Sequence, residues 1–282
     1  MKKILITGKN SYVGKSLEKW LGNYPDRYSI DSISLRNDSW KEKDFSEYDV
    51  VFHAAGIAHI KETKENAHLY YKVNRDLAYE VAQKAKVEGV KQFIFLSSMS
   101  VYGIESGVVG ENSSLKPISN YGKSKLQAEE LIIPLEETFF KVAILRPPMI
   151  YGNDCKGNYT RLANLAVKTP IFPNVNNKRS MIYIDNLCEF VRLVIDDSER
   201  GVFHPQNKEY VCTSEMVNLI AEYHGKKIRM TKLFNLFISF FQISTLNKVF
   251  GDLVYDKNIS EPKMKYHLYD FKTSIVLTER EH

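Results

Sequence analysis

Two residues four apart, Tyr121 and Lys125, are where chemistry is first legible in this chain. On a helix, positions i and i+4 share a face, so a phenol and an ammonium at this spacing point into the same space. A neighbouring cation favours the phenolate, which draws an unperturbed pKa near ~10 towards a range useful for acid/base work. Upstream, the apolar run Phe93-Ile94-Phe95-Leu96 ends in Ser97-Ser98. A hydroxyl at that strand end can hydrogen-bond the same substrate oxygen. Ser98, Tyr121 and Lys125 together suit proton transfer to or from an alcohol that becomes a carbonyl.

Spacing alone does not single out the pair. With 17 tyrosines in 282 residues, chance supplies about two Tyr-x-x-x-Lys pairs, and the chain holds two. The other, Tyr223 and Lys227, has Gly225 between its members and no serine-tipped strand before it. It reads as a solvated helix end. The surrounding elements must decide for Tyr121.

Residues 3–7 read as a strand buried on both faces. Gly8-Lys9-Asn10-Ser11-Tyr12-Val13-Gly14 follows, then a helix with Leu17, Trp20 and Leu21 on one side. Strand, glycine turn and helix place backbone N–H groups and a helix N-terminus against a pyrophosphate. Gly8, Asn10, Ser11, Tyr12, Val13 and Gly14 are therefore candidate dinucleotide contacts, with Ser11 where the common fingerprint has its middle glycine. Residues 29–35 read as a second strand. No acidic side chain ends it to accept from the ribose hydroxyls of NAD. Ser34 and Arg36 stand there instead, and Arg36 suits the 2′-phosphate of NADP, so either nucleotide remains open. Only residues 37–48 separate this strand from the next, too few for the helix and strand usual at this point in such folds.

Residues 49–53 form another buried strand, ending in Ala54, Ala55 and Gly56, small enough for a flat cofactor to lie against. His53, alone in an apolar run, reads as a core residue. A long helix over 66–88 carries Asn74, and Gly89 caps it. The strand over 91–96 delivers Ser98, the Tyr121 helix runs to about residue 137, and a strand over 140–145 ends at Arg146-Pro147. This alternation argues a doubly wound parallel α/β sheet, whose ligand crevice lies beyond the strand ends at Gly8, Gly56, Ser98 and Pro147. After Gly152 the rhythm breaks. The chain is expected to divide into a nucleotide-binding part, 1–152 completed by 181–204, and a smaller lobe from 153–180 and 205–282. Within that lobe, residues 233–246 are strongly apolar and aromatic and read as a packed helix or subunit contact.

Several classes fall away on composition. A formal net charge of +5, with the charges interspersed, leaves no basic stripe of the kind a nucleic acid needs. Cys155, Cys188 and Cys212 have no metal-type spacing and fit a reducing compartment, so no metal is expected. The N-terminal apolar run is too short for a signal peptide, and no run reaches the ~20 apolar residues that span a bilayer. A cytoplasmic location is expected.

Taken in order, Thr7-Gly8 through Gly14, His53-Ala54-Ala55-Gly56, Asn74, Ser98 with Val101-Tyr102-Gly103, Tyr121 with Lys125, and Arg146-Pro147 through Tyr151-Gly152 resemble the extended short-chain dehydrogenase/reductases. More narrowly, the chain is similar to their nucleotide-sugar epimerase/dehydratase group. The resemblance implies a Rossmann-like fold and bound NAD or NADP. It makes Tyr121 the acid/base, Lys125 the holder of the nicotinamide ribose, and Ser98 the ligand of the reacting oxygen. Ala54, Ala55, Gly56, Asn74 and Pro147 would line the cofactor. Ser100, Met149, Asn158 and Arg179 would meet a UDP-sugar, with Asn158 and Arg179 gripping its diphosphate, to which a guanidinium is well matched. Met149 departs from the asparagine that many UDP-galactose 4-epimerases carry.

Relatives that remove water from C5 and C6 place Asp-Glu after the catalytic hydroxyl. Met99 and Ser100 stand there here, so dehydration is not expected. Two reactions at the sugar's C4 remain. The preferred one is 4-epimerisation of a UDP-hexose or UDP-N-acetylhexosamine. The other is NAD(P)H-dependent reduction of a UDP-4-keto-6-deoxy-hexosamine, towards which Arg36 and Lys156-Gly157-Asn158 lean. A non-catalytic NAD(P) sensor is a third reading, opposed by the intact Ser98, Tyr121 and Lys125. The resemblance also implies a homodimer through the helices at 66–88 and 121–137.

Overall fold

Strands buried on both faces must be covered by helices on both sides, and β1 shows how its residues divide between them. In the computed structural model, which describes residues 1–58, 60, 62–233, 249–260 and 264–280, β1 spans Lys2–Thr7. Ile4 and Ile6 face one apolar cluster and Leu5 the other, as the period of two requires. The first cluster is closed by α1 (Tyr12–Leu21) and α6 (Ile184–Asp196), the second by α3 (Leu77–Val87) and α4 (Asn120–Ile132).

The main sheet also contains β2 (Tyr28–Ile33), β3 (Val50–His53), β4 (Gln92–Leu96), β6 (Lys141–Leu145) and β10 (Gly201–Phe203). Its order is β10-β6-β4-β3-β1-β2 and every pairing is parallel. Between β2 and β3 the chain makes only a short 3-10 turn, Asp38–Lys41, whose Trp40 packs against Phe45. The helix and strand usual there are absent, as the short segment foretells.

Two sequence expectations about helices need correction. The helix over 66–88 is not continuous: α2 (Ala67–Tyr70) passes through a π-turn, Tyr71–Asp76, into α3. A π-turn widens the helix by one residue, and Asn74 sits on it fully buried. The Tyr121 helix stops at Ile132 rather than near 137, because Pro134 has no N–H to continue the ladder and a 3-10 turn, Ile133–Leu135, follows.

Beyond the main sheet, β5 (Gly107–Val109) pairs with β12 (Leu253–Tyr255), β7 (Met149–Tyr151) with β9 (Met181–Tyr183), and β8 (Ile171–Pro173) with β11 (Arg229–Thr231). These pairs lie outside the main sheet, and α5 (Asn158–Lys168), α7 (Thr213–Tyr223), α8 (Lys257–Ser260) and α9 (Phe271–Glu279) follow Gly152 in the chain. Leu162, Met216 and Ile220 of these helices share one apolar cluster with Ile4, Leu17 and Val191. Apart from Leu233, the apolar stretch 233–246 lies outside the described residues. Tyr223, the last residue of α7, is 39% exposed and is followed by left-handed Gly225. The second Tyr–Lys pair is thus a frayed helix end.

Candidate active site

The dinucleotide cradle begins at Gly8, whose φ of +90° is left-handed and whose Cβ, if present, would fall 2.7 Å from the Ala55 nitrogen. Only glycine lets the ends of β1 and β3 meet so closely. The Gly8 and Lys9 N–H groups both donate to the Ile33 carbonyl at 3.0 Å, which ties the turn to the end of β2. Ser11 proves to be the N-cap of α1, its Oγ accepting from the Gly14 N–H at 3.0 Å. A Cβ on Gly14 would fall 2.6 Å from that Oγ. Ser11 therefore replaces the middle glycine with a cap, and the backbone of Asn10, Tyr12 and Val13 stays at the helix N-terminus, where anions bind. Tyr12 and Val13 turn their side chains inward, Val13 into the core and the Tyr12 hydroxyl towards Gly152. This cradle fits a dinucleotide. At the end of β2, Arg36 is exposed with no ion-pair partner among the described residues, and exposed Lys9 follows Gly8 in the adjoining turn.

Asn74 has its side chain engaged within the protein. Its Oδ1 accepts from Ile57 N at 2.8 Å, and its Nδ2 donates to Ile57 O at 3.0 Å and Ser124 Oγ at 3.1 Å. It pins the segment after Gly56 onto α4 and so shapes the crevice wall. His53 is fully buried, its Nδ1 2.9 Å from Thr7 Oγ1 and its ring between Phe93 and Phe95. Burial pulls it down to about 3, with Lys125 adding to the fall. It is a neutral core residue, as its isolation in the sequence suggests.

The end of β4 brings the three catalytic candidates together. Ser98 caps the turn Met99–Tyr102, its Oγ accepting from the Ser100 N–H at 3.1 Å. The Ser98 hydroxyl also faces the Tyr121 side chain and favours its ionised form. Lys125 donates from Nζ to the Leu96 carbonyl at 2.7 Å and lies 4.6 Å over the Phe95 ring. Pro147 accepts through its carbonyl from Met99 N–H at 2.9 Å, fastening the turn to the end of β6.

The electrostatics differ from the expectation drawn from spacing. Burial raises the Tyr121 pKa above the ordinary tyrosine value, with the Ser98 hydroxyl opposing the rise. Burial also pulls Lys125 down to about 7, against an upward pull from Glu129. Desolvation penalises phenolate and ammonium alike, and the Lys125 ammonium is spent on the Leu96 carbonyl. Tyr121 is thus protonated at neutral pH and set as a proton donor.

A second pocket gathers Met149, Asn158 and Arg179, the three residues the resemblance assigns to substrate, with Leu162, Met181 and Thr213. Ser100, the fourth, is exposed beside Ser98, its Oγ 3.2 Å from the Ser98 Oγ. Arg179 donates to the Gly251 carbonyl at 2.9 Å and has no ion-pair partner among the described residues. Burial holds its pKa below the usual arginine value. A cation in that position is ready for an anion. Arg179→Met should raise the KM of a diphosphate-bearing substrate by roughly tenfold or more, the worth of a charged hydrogen bond, with a smaller change in kcat; steady-state kinetics reads it.

Sequence reasoning missed Glu129, although Tyr121, Lys125 and Glu129 repeat at four-residue spacing on one helix face. Glu129 is 1% exposed and receives Arg146 through Nε at 3.1 Å and Nη2 at 2.5 Å. Ser97 donates to the same carboxylate. Arg146 also donates from Nη1 to the Tyr102 hydroxyl at 2.9 Å, and that oxygen lies 2.7 Å from His204 Nε2.

The model of the NAD dependent epimerase/dehydratase family matches residues 4–212. This chain belongs to that family. It is similar to the UDP-glucose 4-epimerase of Vibrio cholerae, 31% identical over 249 residues that cover 78% of this chain and 75% of that one. Among solved structures, UDP-glucuronic acid 4-epimerase from Bacillus cereus, in complex with NAD, superposes with a TM-score of 0.73 at 20% identity, covering 99% of this chain and 97% of that one. A dTDP-4-dehydrorhamnose reductase from Clostridium acetobutylicum gives a TM-score of 0.75 at 20% identity, covering 99% of each chain. These two likenesses establish the Rossmann-type fold. As a member of the family, the chain is an NAD(P)-dependent sugar-nucleotide enzyme of the extended short-chain dehydrogenase/reductase type. Among the described residues, no helix is long and apolar enough to cross a membrane, and no group of three or more His, Cys, Asp or Glu could hold a metal ion.

Proposed function

We propose that this enzyme acts at C4 of a UDP-hexose or UDP-N-acetylhexosamine as a 4-epimerase. One observation carries the reading: protonated Tyr121, facing Ser98 at the end of β4, beside the glycine cradle and in the same chain as an Arg179 without an ion-pair partner among the described residues. NAD(P), when bound, supplies hydride exchange at the sugar carbon. Ser98 holds the oxygen on C4, Tyr121 moves the proton at that oxygen, and Lys125 holds the nicotinamide ribose. Arg179 and Asn158 grip the diphosphate. A keto-sugar held chiefly by its diphosphate can turn and present either face, which epimerisation requires. In this proposal residues 1–152, completed by 181–204, bind the nucleotide and the rest binds the sugar. A cytoplasmic homodimer through α3 and α4 belongs to it, and a monomeric sedimentation mass would remove the dimer.

A second reading, reduction of a UDP-4-keto-6-deoxy-hexosamine, is favoured by the end of β2. The Lys9 backbone is tied to Ile33 there, and Ser34 and Arg36 follow with no acidic residue between Ile33 and Arg36, chemistry that suits the 2′-phosphate of NADP. Arg36→Ala should weaken NADPH binding by about tenfold, the worth of one charged contact, and leave NADH nearly unchanged; fluorescence titration with each nucleotide decides it. Mass analysis of nucleotide released on denaturing the purified protein separates the two reactions. Retained NAD supports epimerisation. An empty protein that consumes NADPH with a 4-keto sugar supports reduction, and activity in neither assay supports a sensor.

A further inference from the structure

Tyr121, Lys125 and Glu129 form one stripe along α4, and the last of them is buried in an ion pair with Arg146. We propose that the buried Glu129–Arg146 pair is a positioning element that sets the charge on Lys125 and, through it, the grip on the nicotinamide nucleotide. The inference rests on the reading that Lys125 holds the nicotinamide ribose.

The groups that face Lys125 can be named element by element. From β3 comes His53, neutral and fully buried. From β4 come the Phe95 ring and the Leu96 carbonyl. Gly56 and Asn74 pack on the far side, a Cβ on Gly56 falling 3.4 Å from Lys125 Nζ and 3.0 Å from Asn74 Oδ1. From α4 itself comes Glu129, with Tyr121 one turn away from Lys125 on the same helix face. Arg146, on the end of β6, lies beyond Glu129 and binds it with two nitrogens. Among these, Glu129 brings the negative charge that favours an ammonium, and Arg146 is the positive charge that limits it.

The pair is held from outside as well. Because Arg146 Nη1 donates to the Tyr102 hydroxyl, that hydroxyl has its own proton to give to His204 Nε2. His204 is then the neutral tautomer that accepts at Nε2, in keeping with burial pulling it down to about 4. Ser97 supplies a further donor to Glu129. An ion pair used only for packing has no advantage here over apolar side chains of the same volume. A satisfied pair one helical turn from the cofactor lysine has an electrostatic use.

The test measures NADPH binding by fluorescence between about pH 5 and 9, in the wild type and in five variants: K125M, E129Q, R146M, R146K and E129Q/R146M. No sugar is present, so an error in the assigned sugar reaction leaves the result untouched. Wild-type affinity should fall as pH rises through about 7, where Lys125 loses its proton, and K125M should lack this limb. If K125M keeps it, Lys125 does not hold the nucleotide and the underlying reading fails, not this inference alone. The limb should move down by about one unit in E129Q, a tenfold change in proton affinity, and up by a similar amount in R146M. R146K, which keeps both charges of the pair, should keep the wild-type midpoint, and the double variant, which removes the Glu129 charge together with its partner, should move down by less than E129Q. The 2′-phosphate titrates alike in all of them. A shift of E129Q and R146M in the same sense, or no shift in either, overturns the proposal. Should the single variants fail to fold, an undisplaced midpoint in the double variant, or a displaced one in R146K, overturns it instead.

Discussion

Replacing Tyr121 by phenylalanine is expected to lower turnover by about 10²–10⁴-fold, the usual worth of a positioned acid/base, while nicotinamide nucleotide binding stays nearly unchanged. The ring remains, so the crevice wall at the end of β4 is preserved; only the hydroxyl that faces Ser98 is lost. Burial holds this phenol above its ordinary pKa, so reduction of a keto-sugar keeps its proton donor through neutral pH. Oxidation of the alcohol needs the phenolate and should quicken as pH rises. Single-turnover hydride transfer, followed at the nicotinamide absorbance in each direction, checks both statements. A variant that transfers hydride at the wild-type rate would assign the proton to another group.

Gly122→Ala is expected to cost about 10²-fold in kcat, the typical effect of misplacing reacting groups by an ångström, with the fold retained. A Cβ on Gly122 would stand 2.6 Å from the Ser100 carbonyl oxygen and 3.0 Å from Pro117 Cβ. The oxygen belongs to the turn that Ser98 caps, and it is backbone, so it cannot swing away. α4 must instead lift from that turn, separating Tyr121 from Ser98. Ser119 opposes the movement, because its Oγ caps α4 by accepting from the Gly122 N–H at 3.1 Å. Strain of this kind lowers stability by about 1–3 kcal/mol. Thermal melting would read that loss, and steady-state kinetics with saturating nucleotide would read the fall in kcat. An unchanged kcat would mean that the close approach of α4 to Ser98 is not needed for chemistry.

The two variants probe the same contact from opposite sides. The first removes a hydroxyl and leaves the geometry; the second leaves every functional group and alters the distance. If both lose turnover while both bind nucleotide, the crevice at β4 is where the proton moves. In combination the losses should be far from additive, since one contact cannot be removed twice.

Features settled by neighbouring residues were legible in the chain before any coordinates. Gly8 to Gly14 follow an apolar run directly, so the strand, the turn and the helix N-terminus read off together. Ser98 ends a strand by the same logic, and residues 37–48 are too short for the missing helix and strand however they fold. Pro134 could have marked the end of α4 as well, since a proline stops a helix without help from distant residues. The isolation of His53 was enough to mark it as core.

What the amino-acid order by itself determined, then, was which side chains are delivered to the ends of the parallel strands. Whether those side chains carry charge was decided only by the tertiary structure. The spacing of Tyr121 and Lys125 suggested an acidified phenol, yet burial raises one group and lowers the other. The π-turn that turns Asn74 onto Ile57 and Ser124, and the meeting of Glu129 with Arg146, 17 residues on, likewise appear only when α3, α4 and β6 are packed together. The physical reason is that desolvation and ion pairing depend on everything within a few ångströms, whatever its place along the chain, whereas a turn or a strand end depends on the next few residues.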